Sequence, residues 1–285
     1  METTNKSRVV YKYRTFSERT LEILTSRKLY FAKAEQLNDP LDSQLDIQTE
    51  YKNVQHELTR RWSGEEFSRK SFLLFLLNSN SFRDRQSGKS ISLNEALQAW
   101  IGQLGILSLS KNPSDPLLWA HYAGGHKGLC LGFDTSKLTF PGYMSTGDVE
   151  YVAAPRYREL FLSLLEELGT FVRPWEDEHG YPDEVGDRFY TKQISAITRE
   201  ALFVKSEKWK YEEEFRIVLG KGGLHSFDPG ALREIIFGTK TKLTDINRIT
   251  EVLSTSGLQH VTVRRVEHVP GTFSFKLAGY GSDTR

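Results

Sequence analysis

The sequence predicts an α+β fold, a single mixed or antiparallel sheet with flanking helices. Three observations predict it. Short runs rich in β-branched and aromatic residues recur along the 285-residue chain, and such runs read as strands. Between them lie stretches with apolar residues at helical spacing, without the regular alternation that builds a doubly wound parallel sheet. No Gly/Ser/Pro-rich linker and no internal repeat divides the chain. It therefore reads as one domain over 1–285, with a helical insertion near 155–205, even though about 150 residues per domain is the usual prior.

Taken in order, RVVYKYR at 8–14 reads as the first strand, rich in β-branched and aromatic side chains. Thr15 or Ser17 caps a helix carrying Leu21, Ile23 and Leu24, and Glu18 suits its first turn. Leu29 to Ala32 forms a second strand, closed by the QLNDP turn at 36–40. Helical spacing returns over 55–79, and 80–92 is polar and loop-like. Ser92 or Asn94 starts a helix through Leu97 and Trp100. GILSLS at 105–110 alternates as a strand. After the loop KNPSDP, LLWAHY at 117–122 is a short helix stopped by Gly124-Gly125, and 128–133 is again a strand. Residues 157–172 and 187–204 read as helices around an acidic break at 173–186. Strands follow at 211–219 and 234–237, then a helix capped by Asp245, and a last strand at 260–266. The tail GYGSDTR is expected to fray.

Composition sets limits on function. Hydrophobic residues make up 38%, with 17 Phe, 12 Tyr and 5 Trp, enough for a sizeable core. With 38 basic and 37 acidic residues the net charge is +1, so no global field draws the chain to nucleic acid or an anionic surface. The lone Cys130 excludes an internal disulfide and a Cys-rich zinc site. METTNKSRVVYKY has no apolar signal core, and the longest apolar run, FLLFLL at 72–77, is far short of a membrane span. A cytoplasmic protein without a membrane partner is expected. No heptad pattern announces an oligomer.

Three motifs can carry chemistry. In WKYEEEFR at 209–216, a strand alternating with period two puts Glu212, Glu214 and Arg216 on one face. Two carboxylates and a guanidinium in a row imply a face that is wet, paired or catalytic. In WAHYAGGHKG, Trp119, His121, Tyr122, His126 and Lys127 surround a Gly-Gly turn where they could orient a ligand or relay protons. His121, His126 and Cys130 match no standard zinc spacing, so no metal is expected. In FAKAEQLNDPLD, Asn38 and Asp39 before Pro40 form an Asx-type turn. Phosphate-loop, dinucleotide-fingerprint, HExxH and nucleophile-elbow patterns are all absent.

Together, Tyr11-Lys12-Tyr13, the stretch from Leu29 to Pro40, Trp119 to Gly128 and Trp209 to Arg216 resemble a bacterial family of unknown function, over roughly residues 9–240. Members of that family are accessory, often defence-associated genes. A more distant resemblance carries chemistry. The strand with Tyr11-Lys12-Tyr13, the helix, the LYF strand and a late Glu-x-Glu strand are similar to ADP-ribosyltransferases. That resemblance implies NAD as substrate and a protein or nucleic acid as acceptor. Glu214 would be the catalytic carboxylate and Glu212 its partner. Lys12 stands where a His or Arg grips NAD, with Tyr13 and Arg14 beside it. His121 and Tyr122 would serve the chemistry, while Asn38, Trp119, His126, Lys127 and Arg216 would line the NAD site. Such an enzyme would act as a toxin or phage-defence effector. Two other readings remain open: a non-catalytic sensor or interaction domain, and a metal-dependent hydrolase or nuclease using His121, His126 and the acidic residues.

Overall fold

The structure, a computed structural model, describes residues 7–43, 47–64, 67–68, 70, 82–83, 88–91, 93–172 and 195–280. Its chain divides into two compact units, one of residues 1–33, 104–149 and 207–285, the other of 34–103 and 150–206. The first unit holds the expected α+β architecture. Its strands are β1 (Val9–Arg14), β2 (Lys28–Phe31), β3 (Gly105–Ser110), β4 (Leu129–Asp134), β5 (Tyr143–Asp148) and β6 (Glu214–Leu219), followed by β7 (Gly223–Ser226), β8 (Leu232–Phe237), β9 (Thr262–His268) and β10 (Phe275–Gly279). Its helices are α1 (Glu18–Ser26), α2 (Pro116–Tyr122) and α3 (Leu243–Thr255).

Eight strands form one sheet in the order β10-β9-β8-β4-β1-β3-β6-β5. Every pairing is antiparallel except β8 with β9. α3 connects those two, as a parallel pair requires. β2 and β7 make a separate ribbon. One sheet face, with Val10, Leu107, Leu131, Phe215, Ile217 and Ile235, packs against Leu21 and Leu24 of α1 and Ile246, Ile249 and Leu253 of α3. On the opposite face Tyr11, Tyr13, Cys130, Ile236 and Val266 pack with Leu118 and Trp119 of α2. Alternation along each strand is what divides the two sets.

The β1 ladders are unequal. β1 matches β4 at six consecutive pairs, Val9 with Asp134 through Arg14 with Leu129. Against β3 it matches at a single pair, Tyr11 with Ser110. Beyond that pair Ile106 of β3 bonds instead to Ala32, through Ala32 N–H to Ile106 O at 2.9 Å and Ile106 N–H to Ala32 O at 2.7 Å. The sheet therefore opens between β1 and β3 beside Lys12.

In the second unit, helices Ile47–Arg61 and Tyr157–Val172 pack together, burying Val54, Leu58, Phe161 and Leu162. Strands Glu150–Val152 and Val204–Ser206 pair in parallel. Arg156 holds Glu150 at 2.8 Å and Glu200 at 3.0 Å, and buried Lys205 pairs with buried Asp42 at 3.3 Å. A helix also spans 195–203. Residues 71–81, the acidic break and the start of the helix expected from 187 lie outside the described residues.

Several boundaries differ from the sequence reading. Residues 207–212 form a 3-10 helix, so β6 begins at Glu214 and not at Tyr211. Lys242, not Asp245, occupies the N-cap of α3, and Asp245 sits in its first turn. Among the described residues seven strands were not anticipated: β5, β7, β10, Glu150–Val152, Val204–Ser206 at the end of the expected helix, and the antiparallel pair Phe82–Arg83 and Ser90–Ile91 within the stretch read as loop.

Candidate functional site

α2 is built by local chemistry. Asp115 caps it, accepting from Leu117 N–H at 2.8 Å and Leu118 N–H at 3.1 Å, and Pro116 takes the first position, where its missing N–H costs nothing. Gly124, Gly125 and His126 follow with φ of 58°, 66° and 70°. Three left-handed residues in succession reverse the chain, and His126 is the one without a glycine's freedom. The reversal is held by His126 N–H to Trp119 O at 3.1 Å and Gly128 N–H to Ala123 O at 2.8 Å. A Cβ at Gly128 would lie 2.1 Å from Arg14 O, so only glycine lets this loop lie against the end of β1.

α2 thereby sets Tyr122 facing the 3-10 helix, where its hydroxyl donates to Glu212 at 2.5 Å. Glu213 has φ 44°, and this left-handed residue turns the chain from the 3-10 helix into β6. The period-two argument from the sequence therefore fails at Glu212, which precedes the strand. It holds for Glu214 and Arg216, which pair through Arg216 Nε to Glu214 Oε1 at 2.6 Å and Nη2 to Oε2 at 3.0 Å. That face is buried, not wet: Arg216 is 0% and Glu214 4% exposed. Two parallel contacts in a dry setting make a strong, geometrically fixed pair.

Lys12 donates to Ser108 O at 2.8 Å, so its ammonium occupies the opening between β1 and β3. Burial and then the neighbouring Arg14 lower its pKa to about 8, against the opposing pull of Glu214 and Glu212. A cation from the first strand and carboxylates some two hundred positions later thus share one electrostatic neighbourhood. Arg14 is held below the ordinary guanidinium value by burial and then by Arg19.

The other sequence-selected residues have different surroundings. Tyr13 is buried, its hydroxyl donating to Asn112 O at 2.6 Å, and burial raises its pKa well above the usual phenol value. Trp119 is fully buried, edge-on to Tyr13 at 5.2 Å, and donates from Nε1 to Pro113 O at 2.9 Å. A side chain with no exposed surface braces the site wall and does not stack on a ligand. His121 is exposed and lies against Tyr122 and Tyr211, with ring centroids 6.3 and 6.4 Å away. His126 instead packs against Phe275 at 5.5 Å. Its buried Nδ1 has no hydrogen-bond partner, and burial and then Lys240 lower its pKa. The two histidines of the motif thus serve different surroundings. Lys127 is exposed. Asn38 is exposed in the second unit, where Asp39 accepts from Leu41 N–H at 2.9 Å as the Asx turn requires. Among the described residues no three His, Cys, Asp or Glu side chains gather as a metal site would need. No described helix is long and apolar enough to cross a membrane.

Sequence reasoning missed Asn112. Asn112 accepts Tyr13 through its backbone and donates through Nδ2 to Glu213 at 3.0 Å. It ties β1 to the turn that launches β6. The NPSDP spacing signalled a turn but not its bridging role.

The comparisons with known proteins bear on this region. The sequence profile of a family described as protein of unknown function (DUF2971) matches residues 118–217. The match opens inside α2 and closes inside β6, so it contains Trp119 to Lys127 and Glu212 to Arg216. No curated protein and no solved structure gave a match.

Proposed function

We propose that this chain is an ADP-ribosyltransferase-like effector that cleaves NAD and transfers ADP-ribose to a protein or nucleic acid, acting as a toxin or in phage defence. The observation that carries the reading is the placement of Lys12 in the β1–β3 opening within electrostatic reach of Glu212 and Glu214. This is the pairing of a first-strand cation with late carboxylates that the resemblance implies. The residues suit the ligand: Arg14 has a buried Nε without a partner, as a pyrophosphate oxygen would satisfy.

Cleavage of the nicotinamide–ribose bond builds positive charge on the ribose, as in glycoside hydrolysis. A fixed carboxylate beside that charge stabilises it. Glu214 is committed to Arg216 on both oxygens, so Glu212, oriented by the half-buried Tyr122, is the better placed carboxylate for that task. Glu214 and Arg216 then act as positioning residues beneath it.

The test is nicotinamide release from NAD by the purified chain, followed by chromatography, beside Glu212→Gln. Release that falls about 10²-fold or more in the variant, with an unchanged melting curve, is expected. A folded wild-type chain that neither binds nor cleaves NAD, with and without cell extract as acceptor source, overturns the reading. The burial of Glu212 and Glu214 favours one second reading, a non-catalytic sensor. Its signature is saturable ligand binding with no turnover in either protein.

A further inference from the structure

The eight-stranded sheet ends on two strands of unlike character. β10, at one end, carries Lys276 with 62% of its side chain exposed, and a lysine on an outer strand discourages pairing with another chain. β5, at the other end, is YMSTGD and holds no lysine, arginine or proline. Its ladder partner among the described residues is β6 alone. Tyr143 is 54% and Met144 45% exposed, so the strand lies at the surface.

The register says which backbone groups β5 turns outward. Val149 N–H bonds Glu214 O at 2.9 Å, so Val149 points its backbone groups at β6. Alternation then turns those of Gly147 and Ser145 to β6 as well, opposite Arg216 and Val218. Thr146 and Asp148 therefore present N–H and C=O to the open side. The ladder's irregularity falls between Val218 and Leu219, where Met144 is passed over, outside this stretch. A row of outward donors and acceptors is a template for one more strand.

We propose that the strand added there is β5 of a second copy of this chain, antiparallel and centred on Thr146, so that one sheet runs through both molecules. Thr146 then exchanges both outward bonds with Thr146 of the second copy, and Asp148 lies opposite Met144. A two-fold interface needs a surface complementary to itself, and β5 has one. Only a register that joins even-numbered positions brings outward groups to outward groups, and this one overlaps β5 along its length. The single charge of the strand, Asp148, faces a methionine and not the other Asp148, so no like charges stand opposite. Arg8 at 2.9 Å and Lys111 at 3.4 Å already hold that carboxylate. None of the residues assigned to NAD takes part, so the pairing stands whether or not NAD is cleaved.

Sedimentation velocity of the full chain over a wide concentration range tests the pairing, with Thr146→Pro, Met144→Asp and Met144→Lys beside the wild type and circular dichroism to show that each is folded. Proline is tolerated where an N–H faces outward. Thr146→Pro thus removes the central donor while keeping the backbone ladder to β6, losing there only the hydroxyl bond to Arg216 O. The wild type is expected to approach twice the mass of the chain as concentration rises, and Thr146→Pro to stay single. Met144→Asp sets carboxylates opposite each other and should weaken association about tenfold, because symmetry repeats the clash. Met144→Lys, opposite Asp148, should not weaken it. A wild type that stays single at every concentration overturns the proposal and leaves the strand to a different protein. A dimer that folded Thr146→Pro leaves unchanged overturns it as well. So does equal behaviour of Met144→Asp and Met144→Lys, and these two decide the matter if Thr146→Pro does not fold.

Discussion

The Glu214–Arg216 pair decides how any substitution at the site must be interpreted. Removing one member of a buried, hydrogen-bonded ion pair leaves the other as an uncompensated buried charge and costs about 3–5 kcal/mol. Glu214→Gln alone is therefore expected to lower stability by that order, and Arg216→Met likewise. The double variant should lose less than the sum, because neither member of the pair then strands the other. Urea unfolding of the two single variants and the double one checks this, and additive losses would show that the two side chains do not depend on each other. Activity lost in Glu214→Gln is thus no evidence of catalysis unless the protein is shown to be folded. Lys12 carries a second residue-scale expectation. Its pKa of about 8 in the folded chain lies below the ordinary 10.5. Between those values the unfolded chain binds the extra proton, so folded-state stability contributed by this group rises with pH from about 8 to about 10.5. Below about 8 both states are protonated and the full penalty remains. Urea midpoints of wild type and Lys12→Met, compared from pH 7 to pH 10, should therefore differ in slope, the wild type gaining relative to the variant above pH 8. Parallel profiles would mean that Lys12 is not desolvated.

At the scale of elements, what could be read from the sequence was what local chemistry decides. β1 and β2 carry β-branched or aromatic runs, β3 alternates as a strand does, and α2 carries a capping Asp, a Pro at its first position and a terminal Gly pair. The α+β class followed from these. β5 was not legible because YMSTGD holds small and polar residues whose strand state comes from pairing with Ile217 and Val218 of β6. The same holds for β10, which exists as the partner of β9. The 3-10 turn at 207–212 defeated the period-two argument for a specific reason. YEEEF alternates acceptably as a strand, and only the tertiary tie of Tyr122 to Glu212 with the left-handed Glu213 breaks it. The site was legible as residues, not as an arrangement. Tyr122, Glu212, Glu214, Arg216 and Lys12 were all marked, but not which carboxylate was committed to Arg216. That Trp119 was core also needed the packing of α2 on Tyr13.

At the scale of the whole molecule, the two-unit division yields an expectation about what folds. Both hydrophobic clusters of the sheet, the one with α1 and α3 and the one with α2, draw every member from 1–33, 104–149 and 207–285. None comes from 34–103 or 150–206. A sheet covered by its own helices on both faces has the layers a self-supporting domain needs. The excision points are also favourable. Ala32 and Ile106 exchange both backbone hydrogen bonds, which places Lys33 beside the start of β3. At the other junction Val149 N–H bonds Glu214 O at 2.9 Å, and Glu150 and Val152 pair with Val204 and Ser206. A linker of about five residues, at roughly 3.3–3.6 Å each, then spans from Val149 to Glu207. A chain in which short Gly/Ser linkers replace 34–103 and 150–206 is expected to unfold in one cooperative urea transition and to keep its near-ultraviolet aromatic signal. Tyr13, Trp119 and Tyr122 remain in place in that chain. A sloping transition with the aromatic signal lost would show that the sheet needs the inserted segments to fold, and that the two units are one folding entity despite their separate cores.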